Sequence, residues 1–148
     1  MLTRTIVLAA LLATGSAHAA DGAAVKASDA WIRILPGGLP AGGYVTLANS
    51  ADHAVAVTGA ESPAYADAMI HRSSTETGMG RMEMVDKVPV PAGGKVAFSP
   101  GGYHVMLMQP KKPVNAGDKV MVTFEFADGS KLPVTFVARP ANATGPTD

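Results

Sequence analysis

Short apolar segments of alternating polarity, separated by turn-forming residues, run through most of this 148-residue chain. Alternation over about four to eight residues is typical of strands with one buried face, and no helical periodicity continues beyond two turns. Glycine, proline, asparagine and aspartate separate the segments, and Asp128-Gly129 predicts a hairpin between the last two strands. The pattern predicts a single all-β domain, a sandwich or barrel, with strands at 30–35, 43–49, 54–60, 68–71, 81–88, 95–98, 103–108, 120–126 and 132–138.

The first twenty residues have the composition of an export signal. Arg4 precedes an apolar run from Ile6 to Leu12, and the small residues Ala17-His18-Ala19 follow, so residues 1–20 are predicted to be a cleavable signal peptide. The apolar run is much shorter than the roughly 20 residues of a membrane span, and no later segment approaches that length. We therefore expect a periplasmic protein without a membrane span.

Residues 21–139 are expected to form the one folded domain, and the small, polar residues 140–148 are predicted to be a disordered tail. Pro133 predicts an edge position in the last strand, because proline cannot donate to a strand ladder. Lysine and arginine total 12, as do aspartate and glutamate. This balance provides neither the basic surface of a nucleic-acid-binding protein nor a polybasic patch for anionic lipid.

Two histidines and two methionines have a spacing that indicates a metal site. Ten residues separate His71 from Met82, twenty-one separate Met82 from His104, and one separates His104 from Met106. Thioether sulfur is a soft ligand and imidazole a borderline one, so the set favours a soft ion, above all Cu(I), at one ion per chain. The chain has no cysteine, and thioethers cannot be captured in disulfides in an oxidising compartment.

Strand geometry brings these candidate ligands together. Side chains two residues apart on a strand point to the same face, so His104 and Met106 can chelate one ion. Met84 has the same relationship to Met82 and could replace or support it, and this alternative stays open. Six of the seven methionines after Met1 lie between positions 69 and 108, which scattered core filling does not produce. The sets that share a face are Met69 with His71, Met82 with Met84, and His104 with Met106 and Met108.

The spacing resembles that of the periplasmic copper chaperone family called PCuAC, whose pattern is histidine, ten residues, methionine, twenty-one residues, histidine, one residue, methionine. All four positions match, and the resemblance extends over 30–33, 43–47, 91–94, 100–108 and 117–118. It implies a cupredoxin-like Greek-key β-sandwich that binds Cu(I) at an exposed site and delivers it to cytochrome c oxidase. The acceptor would be the copper subunit or another copper-handling assembly protein. Some relatives carry a His- and Met-rich C-terminal extension for Cu(II), but the tail here has neither residue.

Other classes of protein fit the sequence less well. A blue-copper electron carrier needs a cysteine thiolate. An enzyme is not predicted, because no catalytic triad or suggestive carboxylate pair is visible. A passive periplasmic copper-buffering or resistance protein with the same ligands stays open, and a purely structural secreted β-domain is the last alternative. His53, beside Asp52 in a turn segment, is predicted to be a solvated loop residue.

Overall fold

A computed structural model describes residues 19–75 and 78–147 of the chain. Almost all of the regular structure in these residues is strand, so the all-β prediction is confirmed. The elements are α1 (Asp21–Ala24), β1 (Val25–Arg33), a 3-10 turn (Pro36–Gly38), β2 (Ala41–Asn49), β3 (Val55–Glu61), β4 (Tyr65–Ser74), β5 (Arg81–Met84), β6 (Val88–Val90), β7 (Lys95–Phe98), β8 (Tyr103–Pro110), β9 (Lys119–Phe126) and β10 (Lys131–Arg139).

The strands of the described residues form one sheet that folds back on itself. Its order is β5-β4-β8-β2-β1-β10-β9-β3-β6, and β7 pairs with β2. Strands β3 and β4 are distant in this order but contact each other, so the two halves of the sheet enclose one core. Alternate residues of each strand point inward. The core includes Ile32, Leu47, Val57, Ile70, Val105, Leu107, Val122, Phe124 and Phe136.

Each of the nine predicted segments contains a strand, but the predicted segments 81–88 and 30–35 each differ from the structure by more than three residues at one end. The predicted strand 81–88 is two strands, because β5 pairs with β4 whereas β6 pairs with β3, at the other end of the sheet order. Strand β1 begins at Val25 rather than at Ala30. A bulge between Ser28 and Trp31, with Asp29 at φ 54°, interrupts the alternation there.

The hairpin predicted at Asp128-Gly129 is confirmed. Strands β9 and β10 pair antiparallel, and Gly129 has a φ of 83°, a conformation that glycine adopts without strain. Pro133 does not lie on an edge strand, because β10 lies between β1 and β9. However, β1 pairs with β10 only at 137–139, so Pro133 pairs on one side alone, opposite Thr123. Proline is tolerated there for the same reason as on an edge.

The N-terminal end of the described chain is fixed to the domain by polar contacts. The predicted signal peptide lies almost entirely outside the described residues. The backbone N–H of Asp21 donates to the Asp128 carboxylate over 2.8 Å. His53 is exposed, as predicted, but its two ring nitrogens each lie 3.0 Å from a carboxylate, of Asp52 and of Asp21. Within the described residues, no helix is long and apolar enough to cross a membrane.

Residues 140–148 were predicted to be a disordered tail, but this C-terminal segment makes a specific contact with the domain. Ala143 is 4% exposed and packs with Trp31 and Tyr44. The Arg33 guanidinium donates two hydrogen bonds to the Ala143 carbonyl, over 2.8 and 3.1 Å. The composition of the tail gave no sign of this contact, because its partners lie on β1 and β2, more than ninety positions earlier in the chain.

Candidate metal centre

Strands β4 and β8 present the two candidate imidazoles on one face of the sheet. The strands pair antiparallel, with His71 opposite His104 and Met69 opposite Met106. Val105 lies between two of these residues and is fully buried in the core. Because side chains alternate along a strand, the histidines and methionines point away from that core. The structure therefore brings His71, His104 and Met106 to one surface.

The two imidazoles lie close together and each has a nitrogen without a partner. Their ring centroids are 5.8 Å apart, and the ring planes are 74° apart. Nδ1 of His71 and Nε2 of His104 are buried and have no hydrogen-bond partner among the described residues. Buried polar nitrogens are nearly always hydrogen-bonded, so two such exceptions side by side require an explanation. A metal ion bound by both rings would satisfy both nitrogens.

The surroundings of His104 prepare its ring for metal binding. Nδ1 lies 3.3 Å from the Gly102 carbonyl, and since a carbonyl oxygen only accepts, Nδ1 carries the proton. The lone pair is then on Nε2, the nitrogen for which residues 19–75 and 78–147 provide no hydrogen-bond partner. Burial lowers the pKa of His104 below 6.5, with a further lowering from His71, against the opposite effect of Gly102. The ring is therefore neutral near pH 7, as a metal ligand must be.

Strand β5 adds two methionines beside His71. Met84 lies directly opposite His71, and Met82 lies opposite Ser73, so both thioethers are on the face of the imidazoles. Met82 is 55% exposed and Met84 64% exposed. Among the described strands, β5 pairs only with β4 and ends the sheet order. The register thus brings Met84 closer to His71 than the motif residue Met82, and the sequence could not show this.

The candidate site is composed of neutral ligands. No group of three His, Cys, Asp or Glu side chains that could hold a metal occurs in the part of the chain that the structure describes. The nearest ion pair joins Arg72 to Glu83 over 2.8 Å, and alternation puts it on the other face of β4 and β5. It is solvent-exposed, so it contributes little to holding β5 in place. Imidazole and thioether ligands without carboxylates suit a soft, singly charged ion.

An aromatic pair borders the site on the side of β2, and the sequence patterns did not predict it. The Tyr44 ring lies 6.5 Å from that of His104 and 4.7 Å from that of Trp31. The Arg33 guanidinium lies over both aromatic rings, at 5.3 and 5.6 Å from their centroids. A Cβ at Gly42 would come within 2.8 Å of the Tyr44 hydroxyl. Glycine at position 42 therefore lets the Tyr44 ring lie across β2.

Comparison with known proteins shows which family this chain belongs to. Residues 25–138 match the LpqE-like family model, described as "Putative lipoprotein LpqE-like". The chain belongs to the LpqE-like family, which is of the PCuAC type. One relative, "Putative lipoprotein Lxx21020" of Leifsonia xyli subsp. xyli, is 37% identical over 116 residues, which cover 78% of this chain and 68% of that protein.

Solved structures support the same assignment of this LpqE-like chain. The solution structure of the CuI form of DR1885 from Deinococcus radiodurans has a TM-score of 0.61 at 31% identity, over 78% of this chain and 77% of that one. The apo PCuAC domain of PmoF2 has a TM-score of 0.67 at 23% identity, over 82% and 94%. At 23% identity, the similarity to the PmoF2 domain is evidence for the fold alone. The predicted cupredoxin-like β-sandwich and the resemblance to PCuAC domains are confirmed.

Proposed function

We propose that this protein is a periplasmic copper chaperone that binds one Cu(I) ion through His71, His104, Met106 and Met82. The observation that carries the proposal is that each of the two histidines has a buried ring nitrogen with no hydrogen-bond partner in the described part of the chain, on a face that also presents thioethers. Cu(I) is the cargo of the protein and not a resident cofactor. The copper-loaded form of the relative DR1885 supports a copper ligand for this fold.

The ligand set favours Cu(I) over competing ions. Thioethers are soft and uncharged, and they bind Cu(I) far better than hard ions such as Mg²⁺ or Ca²⁺, which require oxygen ligands. The described residues do not offer the three convergent His, Cys, Asp or Glu side chains that a site for such ions would need. A chain without cysteine also keeps these ligands free of disulfide formation outside the cytosol.

The two sides of the site differ in exposure, which suits a carrier. His104 is 5% exposed, whereas Met82 and Met84 are more than half exposed on the terminal strand β5. In the proposed transfer, the exposed thioethers exchange with ligands of the acceptor first, while the histidines still hold the ion. An incoming ion follows the same steps in reverse. No redox change and no proton transfer are required, because thioethers and neutral imidazoles bind Cu(I) through lone pairs.

The proposed acceptor is the copper centre of respiratory cytochrome c oxidase, reached directly or through another copper-handling assembly protein. The alternative is a passive periplasmic copper buffer, which would use the same ligands. A deletion strain separates the two functions. Reduced oxidase activity that added copper restores supports the chaperone, whereas normal oxidase activity with lower copper tolerance supports the buffer.

The binding step is tested by anaerobic titration of Cu(I) against a calibrated chelator. His71→Ala and His104→Ala each remove a proposed ligand, and we expect affinity to fall at least about tenfold for each. Two matched controls lie outside the site: His53→Gln on the β2–β3 loop and Met121→Leu on β9, where Met121 is 40% exposed. An affinity that both histidine variants leave unchanged would refute the proposed ligand set.

A further inference from the structure

Three methionines form a second group on the ligand face, next to the histidines. Met69 lies directly opposite Met106 in the β4–β8 pair, and Met108 lies two residues beyond Met106, opposite Asp67. The pair formed by Met69 and Met106 is the neighbouring row to the pair of His71 and His104 on the same face. The proposed histidine site uses only Met106 of this group.

The position of these methionines excludes their most common role, that of core filler. Met69, Met106 and Met108 are all partly exposed. The inward positions next to them are taken by Ile70 and Leu107, which are 3% and 0% exposed and belong to the core. Met69, Met106 and Met108 therefore lie on the outer face of the sheet, where the core provides no packing reason for three long thioethers.

The register permits the three sulfur atoms to meet. Side chains directly opposite on antiparallel strands have Cβ atoms about 4.5–5.5 Å apart, and diagonal neighbours about 7–8 Å. The long, flexible methionine side chain can span these distances and converge on one point. On the β2 side of Met106, the opposite residue is Gly42, which has no side chain to occupy the space. The Tyr44 ring lies over Gly42 and closes that side.

We propose that Met69, Met106 and Met108 form a second, all-thioether position for Cu(I). Three thioethers give a soft, neutral ligand set. The exposed Asp67 carboxylate lies opposite Met108, and its negative charge attracts a cation to this position.

Because Met106 belongs to both sets, the second position rests in part on the proposed histidine site and is a station on the path of the same ion. Copper moves between the two when His71, His104 and Met82 leave it and Met69 and Met108 replace them. The ion stays bound to Met106 and stays Cu(I) throughout, and no proton is exchanged.

The direct test is NMR of protein labelled with carbon-13 at the methionine methyl groups, titrated anaerobically with Cu(I), or with Ag(I) as a redox-inert probe. The informative variant is His71→Ala combined with His104→Ala, which removes the imidazoles and keeps every thioether. In this variant we expect one equivalent of metal to bind and to shift the methyl signals of Met69, Met106 and Met108. The methyl signal of Met121, on β9, is the internal control and should not move.

Competition titrations then measure the affinity of the remaining site. In the double histidine variant, adding Met69→Leu and Met108→Leu should weaken metal binding at least about tenfold, whereas adding Met121→Leu should leave it unchanged. In the protein with both histidines intact, Met69→Leu with Met108→Leu should preserve the tight site and slow copper exchange with a chelator.

Two outcomes would overturn the second position: methyl signals of Met69 and Met108 that do not move in the double histidine variant, or binding that is indifferent to Met69→Leu and Met108→Leu. If the double histidine variant does not fold, the same methyl signals are followed in the unmodified protein with more than one equivalent of Ag(I). Failure of the proposed histidine site has a different signature, because the ring signals of His71 and His104 would stay fixed while the methyl signals move.

Discussion

Met84 lies directly opposite His71 in the antiparallel pair of β4 and β5, whereas Met82 lies opposite Ser73. The two methionines point to the same face and are both exposed. The sequence motif selects Met82, but the register gives Met84 the shorter approach to His71. The edge strand therefore offers two thioethers for one proposed position in the site.

We predict that these methionines substitute for each other. Met82→Leu and Met84→Leu should each weaken Cu(I) binding by less than about tenfold, since the other thioether remains, whereas the double variant should lose clearly more than the sum of the two single changes. The measurement is a double-mutant cycle by competition titration. Strict additivity, with the whole loss carried by Met82→Leu, would show that Met84 has no part in binding.

A second prediction concerns the stability of the outer and inner faces. Leu107 is fully buried between Met106 and Met108, so Leu107→Ala should lower the free energy of unfolding by about 2–5 kcal/mol. Met106→Ala removes a partly exposed side chain from the outer face, and we expect a loss of about 1 kcal/mol or less. Denaturant unfolding of the apo proteins measures both. Equal losses in the free energy of unfolding would mean that Met106 packs in the core as Leu107 does.

The apo protein should also lose stability in acid through His104. Its folded pKa lies below 6.5 because burial disfavours the charged ring. Above pH 6.5 the ring is neutral in both the folded and unfolded states. As the pH falls through 6.5, the unfolded chain binds a proton that folded His104 does not, so the free energy of unfolding decreases until the folded pKa is reached.

Melting temperatures between pH 7.5 and pH 5 test this prediction, and the His104→Gln variant should show a flatter profile of melting temperature against pH.

His53 acts in the opposite direction, because hydrogen bonds to Asp21, and then to Asp52, raise its pKa. Its stabilising contribution is complete below pH 6.5 and is lost as the pH rises through the folded pKa. The His53→Gln variant should therefore show a steeper loss in acid than the parent protein. For His104, a profile that is steeper in the His104→Gln variant than in the parent protein would contradict the predicted loss of stability in acid through this residue.

The sequence predicted the positions of the strands along the chain better than it predicted which strands pair in the sheet. Alternation predicted the first residue of β8 correctly, because Tyr103, Val105 and Leu107 alternate with outward residues and the last two are fully buried. It missed the first half of β1, where the bulge at Asp29 breaks the pattern. The pairing of β4 with β8 joins residues more than thirty positions apart, and local patterns carry no information about such a register.

The same limit applies to the site. The spacing of four residues was sufficient to propose the ligands, since their chemistry is visible in the sequence. The position of Met84 beside His71, and of Tyr44 beside His104, depends on strand register and on the space above Gly42. Aromatic residues on strands usually fill cores, so nothing in the sequence distinguished Tyr44 and Trp31 from that use.

The contact of the C-terminal segment with Trp31 leads to a fourth prediction. Trp31 is the single tryptophan of the chain, so tryptophan fluorescence reports the surroundings of this one ring. Removing residues 140–148 should expose Trp31 and shift its emission to the red, because Ala143 covers the ring pair. Arg33→Lys should produce a smaller shift, since lysine cannot make both hydrogen bonds of the guanidinium to the Ala143 carbonyl.

The truncated protein should bind Cu(I) with unchanged affinity, because residues 140–148 contain no histidine or methionine. An unshifted emission spectrum after truncation would mean that the segment does not cover Trp31 in solution. A large loss of Cu(I) affinity would instead show that the segment supports the metal site through Tyr44.

X-ray absorption at the copper edge, on the protein loaded anaerobically with one equivalent of Cu(I), tests the central claim most directly. We predict a mixed coordination sphere with both nitrogen and sulfur neighbours, from the imidazoles of His71 and His104 and from thioethers that include Met106. The nitrogen contribution should disappear in the variant that carries both His71→Ala and His104→Ala. A spectrum that contains only nitrogen and oxygen neighbours, or only sulfur neighbours in the unmodified protein, would contradict the proposed site.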